Sequence, residues 1–210
     1  MDETTMINAA RRGDLDAFNE LILSYQNFLF GLGVRILGDE DSACDAMQET
    51  SISAFRKLNT FRGVSIKHWL ARIMVNACYD ELRRKHRRRT VPLEHVDAHD
   101  EEMEPGLWMA DPSPSPEEDY ESHELEHAIE MCLQSLTPDF RTVLVLVDIE
   151  DHSYEETAVI MGIPVNTVKS RLARARMKMR EELQRFNDQL PARYRIEFPK
   201  RTQADIAFSF

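Results

Sequence analysis

At 210 residues the chain can form one large domain or two small ones, and its 42% hydrophobic content with only seven Gly and nine Pro excludes a collagen-like or wholly disordered protein. It has no apolar run near the ~20 residues of a spanning helix, no apolar signal core in MDETTMINAARRGD, and three cysteines (Cys44, Cys78, Cys132) too scattered for a disulfide framework or a CxxC zinc site; a cytoplasmic protein without membrane insertion is expected. The net charge of −11 argues against a polyanionic partner only until it is mapped, because thirteen Asp or Glu and no Lys or Arg lie between Thr90 and His127, while segment 65–89 holds eight basic residues and segment 164–185 seven.

In chain order, Gly13 breaks the chain and Asp14 caps a helix with apolar residues at Leu15, Phe18, Ile22, Tyr25, Leu29, Leu32 and Ile36, the alternating steps of three and four that a core-facing stripe requires. Gly38 ends it. Asp41 opens a second helix with Ala43, Met47, Thr50, Ala54 and Leu58 on one face, broken by Asn59 to Gly63. A third helix, from about Ser65, is expected to bury Trp69, Leu70, Ile73 and Ala77 and to end in RRKHRRR. The first domain is therefore an all-helical bundle over residues 1–89. Residues 90–120, rich in Pro and acid, bury too little apolar surface to offset ordering entropy and read as a linker. Helical periodicity resumes at Leu125, Ile129, Cys132, Leu133 and Leu136, and Thr137 with Pro138 marks the cap and first position of a further helix. A second small domain spans 121–185.

The most informative stretch is HSYEETAVIMGIPVNTVKSRLARARMKMREEL, residues 152–183. Ser153 and Glu156 form a capping box, so a short helix begins there and turns Ala158 and Met161 inward. Gly162 ends it. A second helix follows Pro164 with Val168 and Leu172 inward and Lys169, Ser170, Arg171, Arg174 and Arg176 outward. Two short helices joined by a tight Gly turn make a helix-turn-helix, whose second helix lies in a major groove with its N-terminal residues on base edges.

SYEETAxxMGxPxxTVKSRLxRAR resembles region 4.2 of bacterial sigma factors, and QSLTPDFRTVLVLVDIED resembles the helices before it. DAFNELILSYQNFLFGLGVRILGDEDSACDAMQETSISAFRKLNTFRG resembles sigma regions 2.1 and 2.2, and WLARIMVNACYDELRRKHRR resembles regions 2.3 and 2.4. With region 1.1 absent and region 3 replaced by the acidic linker, the layout is similar to the extracytoplasmic function (ECF) sigma factors, the minimal two-domain group of the sigma-70 family. The resemblance covers roughly residues 7–185 and implies an all-α protein that binds core RNA polymerase, through the β′ clamp helices and the β flap, and promoter DNA. An anti-sigma factor is a further expected partner.

Motif by motif, the resemblance implies polymerase contacts at Asp45, Gln48, Glu49, Phe55 and Arg56. It implies recognition and melting of the promoter −10 element by Phe61, Arg62, Gly63, Lys67, Trp69, Arg72, Asn76, Asp80, Arg83 and Arg84. Asn76 is the favoured base reader, since an amide offers both donor and acceptor to a flipped base. Phe55 and Trp69 have a competing reading as core residues, because aromatics at helical spacing are usually buried. Duplex contacts to the −35 element are implied for Lys169, Ser170, Arg171, Arg174 and Arg176, with Tyr154 and Thr167 toward the backbone. In the family the linker threads toward the RNA exit path; a solubilising tether is the alternative.

An autonomous helix-turn-helix regulator is the competing function, and it has no use for the FRG and WLARIMVNA segments. No Gly-rich phosphate loop, nucleophile motif or metal-spaced His/Cys cluster supports an enzyme or a cofactor. The seven His are scattered, and His95, His99, His123 and His127 in and beside the linker are poor metal ligands. Residues 186–210 fall outside the resemblance: Tyr194, Ile196 and Phe198, then Ile206, Phe208 and Phe210, have strand-like spacing, which predicts a regulatory extension that folds back or docks on a partner.

Overall fold

The computed structural model describes residues 2–63, 65–90, 116–187 and 195. Nine α-helices run through these residues: α1 (Glu3–Arg11), α2 (Leu15–Ser24), α3 (Gln26–Leu37), α4 (Glu40–Lys57), α5 (Ile66–Thr90), α6 (Pro116–Ser135), α7 (Pro138–Leu144), α8 (Tyr154–Met161) and α9 (Val165–Phe186). A 3-10 turn at Leu58–Thr60 follows α4, and a π-helical turn at Val145–Ile149 extends α7. Among the described residues there is no strand. The all-α architecture is therefore as the periodicity requires. Most of the acidic linker and nearly all of the C-terminal extension lie outside the described residues.

The caps explain the boundaries. Asp14 accepts from the Ala17 N–H at 3.1 Å, and Gly38 closes α3 at φ +87°, a left-handed conformation that glycine adopts without a Cβ clash. Asp39, two residues before the expected start, caps α4 through the Ser42 N–H at 2.8 Å. Two elements differ from expectation. A helix α1 precedes Gly13, capped by Asp2 and burying Met6, Ile7, Ala9 and Ala10. The long helix expected over 14–37 is two, α2 and α3, because Tyr25 leaves helical geometry at φ −109°, ψ 2°. The stripe through this break stays in phase, so periodicity alone could not reveal it.

In the N-terminal bundle α3, α4 and α5 pack on one another, with Leu29, Leu32, Ile36, Ala43, Ala54, Leu70 and Met74 fully buried. Each large side chain so buried contributes ~1.5–3 kcal/mol. Gly33 permits this crossing, since an added Cβ would press on Met74 and lie 3.2 Å from Ala43 Cβ. The buried stripe of α5 runs through Ile66, Leu70, Met74, Ala77, Cys78 and Glu81, whereas Trp69 and Ile73, expected inside, are half-buried at its margin. In the second domain, α6, α7 and α8 pack around α9 through Cys132, Leu133, Val143, Leu144, Ile160, Val168, Leu172 and Ala175. Helix α6 begins at Pro116, so residues 116–120, assigned to the linker by composition, are helical.

The two domains meet. Helix α3 packs on α6 and α7, α5 packs on α8, and buried apolar residues of both domains form one cluster. Arg141 of α7 occupies the seam at 6% exposure. Its guanidinium donates to the Ile36 carbonyl of α3 (2.5 Å) and to those of Leu133 (2.9 Å), Gln134 (2.8 Å) and Leu136 (3.1 Å) at the end of α6. One cation thus satisfies the C-terminal carbonyls of one helix from each domain, where the helix dipoles favour positive charge. Burial lowers the Arg141 pKa, which remains far above neutrality for a guanidinium. Arg35 and Glu150 (2.9 Å), Tyr79 and Asp139 (3.0 Å), and Gln134 donating to the Arg35 carbonyl (3.3 Å) add polar links across the seam.

Candidate polymerase and nucleic-acid interfaces

Helix α4 presents the first surface. Its buried residues are Ser42, Ala43, Ala46, Thr50 and Ala54, so Asp45, Gln48, Glu49, Phe55 and Arg56 are left exposed on the opposite side. Phe55 is 43% exposed and meets Phe18 edge-on at 5.1 Å, so it is a surface aromatic braced by the core. Ile52 is exposed between them, at 46%. Sequence reading missed it, although its step of three or four from Gln48, Glu49 and Phe55 is visible once the buried face is known.

Helix α5 carries the second surface. Arg72, Asn76, Asp80 and Arg83 follow one another at helical steps and are exposed, with Arg84 beside them. Arg83 pairs with Asp80 at 2.7 Å, and Arg84 with the largely buried Glu81 at 3.3 Å. Arg62 and Gly63 are exposed in the loop before α5. Phe61 differs from its neighbours: it is only 6% exposed, in the bundle core, with its ring 5.5 Å from Trp69 and the Arg11 guanidinium 5.8 Å from its centroid. Arg11 also donates to the Phe61 carbonyl. The aromatic therefore anchors the loop and is unavailable to a base in this conformation. Lys67 also has a protein partner, its ammonium lying over the Phe28 ring at 4.4 Å.

Helices α8 and α9 form the third surface, and their local structure is the one expected. Ser153 accepts from the Glu156 N–H at 3.2 Å while the Glu156 carboxylate accepts from the Ser153 N–H at 2.8 Å. These bonds hold the Glu156 carboxyl below its usual pKa. Gly162 takes φ +67° at the turn, and Val168 and Leu172 are buried. Lys169, Ser170 and Arg174 are exposed, and Thr167 and Tyr154 are half-buried, with the Lys169 ammonium 5.8 Å from the Tyr154 ring. Arg171 pairs with Asp139 at 2.8 Å, and Arg176 makes two hydrogen bonds to Asp148 at 2.9 and 2.5 Å. Of the basic −35 candidates on the helix, Lys169 and Arg174 are thus the two outside these ion pairs.

The second and third surfaces face each other. Asn76, Asp80 and Arg83 of α5 line one cleft of about 360 Å³ with Met161, Ile163 and Arg171 of the helix-turn-helix. Asp139 accepts from Tyr79 on one side and pairs with Arg171 on the other, and burial with the Asp139 charge pushes the Tyr79 hydroxyl up to about 12, so it stays a donor.

Two all-helical modules, one ending in a basic helix and one in a capped helix-turn-helix, define a two-domain DNA-binding protein. Residues 21–88 match the family described as Sigma-70 region 2, and residues 126–179 match Sigma-70, region 4. The chain is 38% identical over 180 residues to the RNA polymerase sigma-H factor of Pseudomonas aeruginosa, covering 85% of this chain and 92% of that protein. It is 36% identical over 186 residues to the ECF RNA polymerase sigma-E factor of Haemophilus influenzae, covering 88% and 96%. Among solved structures, the sigma factor RpoE in complex with the anti-sigma factor NepR from Bartonella quintana aligns with TM-score 0.58 at 26% identity, covering 80% of this chain and 96% of that one. The chain belongs to the sigma-70 family, in its ECF group.

Proposed function

We propose that the protein is a sigma subunit that binds core RNA polymerase and directs it to promoters, acting by binding and strand opening without catalytic chemistry of its own. The observation that carries this reading is the presence of both sigma regions, in family order, in one chain that matches sigma-H and sigma-E factors along most of its length. An autonomous regulator would need only the helix-turn-helix. Because its work is done on polymerase, we assign it to the cytoplasm; among the described residues no helix is long and apolar enough to cross a membrane. An anti-sigma factor is a further proposed partner, by likeness to the RpoE–NepR complex.

In this reading the exposed α4 stripe, Asp45, Gln48, Glu49, Phe55 and Arg56, docks on the β′ clamp helices. The α5 face reads the opened −10 strand, with Asn76 hydrogen-bonding a flipped base and Arg72, Arg83 and Arg84 neutralising phosphates. Helix α9 enters the −35 major groove with Lys169, Ser170, Arg171 and Arg174 at the base edges and phosphates. The two elements, about 25 base pairs apart, are separated by about 85 Å at ~3.4 Å per base pair. Asn76 and Arg171 line one cleft, so the domains must separate before both elements are held. The conformation described here is a closed form.

Run-off transcription tests the reading. Core polymerase plus the chain should initiate from specific genomic fragments that core alone ignores; transcripts that do not depend on the chain would reject the sigma role.

A further inference from the structure

Sequence reading found no metal-spaced cluster, yet the domain seam assembles one from residues remote in the chain. His68 lies on α5, His152 precedes Ser153, the N-cap of α8, and Glu156 is in the first turn of α8. One ring nitrogen of each histidine and one carboxylate oxygen of Glu156 all lie within 4.8 Å of one another. We propose that His68, His152 and Glu156 form a site for a divalent transition-metal ion of the zinc class, which clasps the two sigma domains in the closed form.

Each ligand is poised by the fold. The Glu156 Oε2 is spent in the capping box, accepting from the Ser153 N–H and Oγ at 2.8 Å each. Its Oε1 is left to face His68 Nε2 at 3.4 Å. The capping bonds keep that oxygen oriented. His152 is 5% exposed, and its Nε2 is buried without a hydrogen-bond partner in the protein. Such a nitrogen costs free energy unless something fills its coordination. The two imidazoles meet edge to face, centroids 5.0 Å apart, and the Phe28 ring braces His152 from another side at 6.2 Å. Desolvation, with the neighbouring His68 and Lys67, lowers the His152 pKa.

Donor type and spacing select the ion. Tetrahedral zinc, with bonds of ~2.0–2.1 Å, sets its donors roughly 3.3 Å apart. The side-chain pair already at 3.4 Å meets this, and with all donors within 4.8 Å of one another a shift of up to about 1.5 Å would bring in the third. Two imidazoles and one carboxylate suit zinc, nickel, cobalt or copper, whereas calcium and magnesium demand oxygen ligands. The charges facing the site are Glu156 and Asp151, which favour a cation, and Lys67, which opposes it but directs its ammonium onto Phe28.

Two ligands belong to the helix-turn-helix domain and one to the N-terminal bundle, so the complete set exists only when the domains are closed. An ion that binds one conformer alone shifts the population by its occupancy: free metal at a hundred times its dissociation constant favours closure about 100-fold. The proposal that this restrains promoter binding rests on the sigma reading, but the site itself does not.

The test titrates the full chain, stripped of metal, with Zn²⁺ against a chromophoric chelator, and with Co²⁺ as a spectroscopic probe. The expected result is one ion per chain, with visible d–d bands and no near-ultraviolet thiolate band, the latter excluding exposed Cys44. His68→Gln should weaken binding at least tenfold while circular dichroism stays unchanged; half-buried His68 caps α5 only through its backbone N–H, which donates to Ser65 Oγ and which the substitution keeps. Glu156→Gln is the second arm. Zn²⁺ should also lower the radius of gyration of the wild type in small-angle scattering and leave that of His68→Gln unchanged. Absence of a nitrogen and oxygen ligand spectrum, or equal affinity in His68→Gln, would overturn the site. Run-off transcription with the metal-stripped chain is scored separately: if it fails while the titration succeeds, the sigma reading falls and the metal site stands.

Discussion

Helices α4 and α5 belong to one bundle and pack on one another, yet they present their outer faces to different surroundings. The α4 stripe from Asp45 to Arg56 is exposed along its length, whereas the α5 stripe through Asn76, Asp80 and Arg83 shares a cleft with Arg171 of the second domain. The face proposed to dock on polymerase is thus available in this conformation, while the two faces proposed to read DNA partly cover one another. On the proposed function, the difference sets an order of events: docking through α4 requires no rearrangement, and separation of the domains comes afterwards or with it. The isolated chain should accordingly bind promoter duplex weakly and gain specific binding with core polymerase.

The largest effect should come from the seam that produces this difference. Arg141→Ala leaves four carbonyls at the ends of two helices, three of them in buried hydrogen bonds, without their donor, a destabilisation on the order of 3 kcal/mol. Urea midpoints would read the loss, and small-angle scattering of the residual folded protein should show a larger radius of gyration. An unchanged midpoint and radius would mean that Arg141 does not hold the domains together, and the contrast between the two helix faces would lose its basis.

Charge reversal of the open face comes next. Asp45→Lys with Glu49→Lys should reduce core-polymerase binding by about thirtyfold, roughly 2 kcal/mol, with helicity unchanged because both side chains are exposed on the solvent side of α4. A pull-down that retains wild-type affinity would remove α4 as the docking face. A smaller effect distinguishes the two covered faces. Arg174→Ala should weaken −35 recognition and spare an artificially opened promoter, and Asn76→Ala should do the converse, each base contact being worth roughly 1–3 kcal/mol. Permanganate footprinting on duplex and pre-melted templates separates them; identical defects on both templates would reject the division of labour.

The smallest effect concerns the tie between α4 and α5 themselves. Burial opposes the charge of Asp39, but the Lys85 ammonium of α5 at 2.6 Å and the Ser42 N–H outweigh it and hold the carboxyl below its usual value. A depressed folded-state pKa means stability that is present above the unfolded value near 3.8 and lost as pH falls through the folded value. Asparagine caps a helix as well as aspartate does, so Asp39→Asn should leave the cap intact and flatten the acid limb of the stability profile. The pair is well exposed, so the change should stay below ~1 kcal/mol. An unaltered acid limb would show that this ion pair adds nothing to the contact between the two helices.

Local chemistry accounts for what could be read from the chain directly. Asp14, Gly38, Thr137, Ser153 with Glu156, and Gly162 bound helices because their effects are confined to one turn of backbone, and α9 was legible because Val168 and Leu172 recur at helical spacing against a basic face. The same locality made the outer face of α4 readable, since a residue opposite a buried alanine stripe is outside whatever the bundle's partners are. Tertiary structure decided everything that depends on which helix lies alongside. The break at Tyr25 leaves the apolar phase undisturbed, and Phe61 is buried because Arg11 and Trp69 close over it. No local pattern marks Arg141, whose place is set by two helix ends that converge on it. His68 reads as isolated until α8 brings His152 and Glu156 to its side. Periodicity carries information over one helix, but a guanidinium across a domain seam or three ligands around one point is set by chain reversals whose geometry no local pattern encodes.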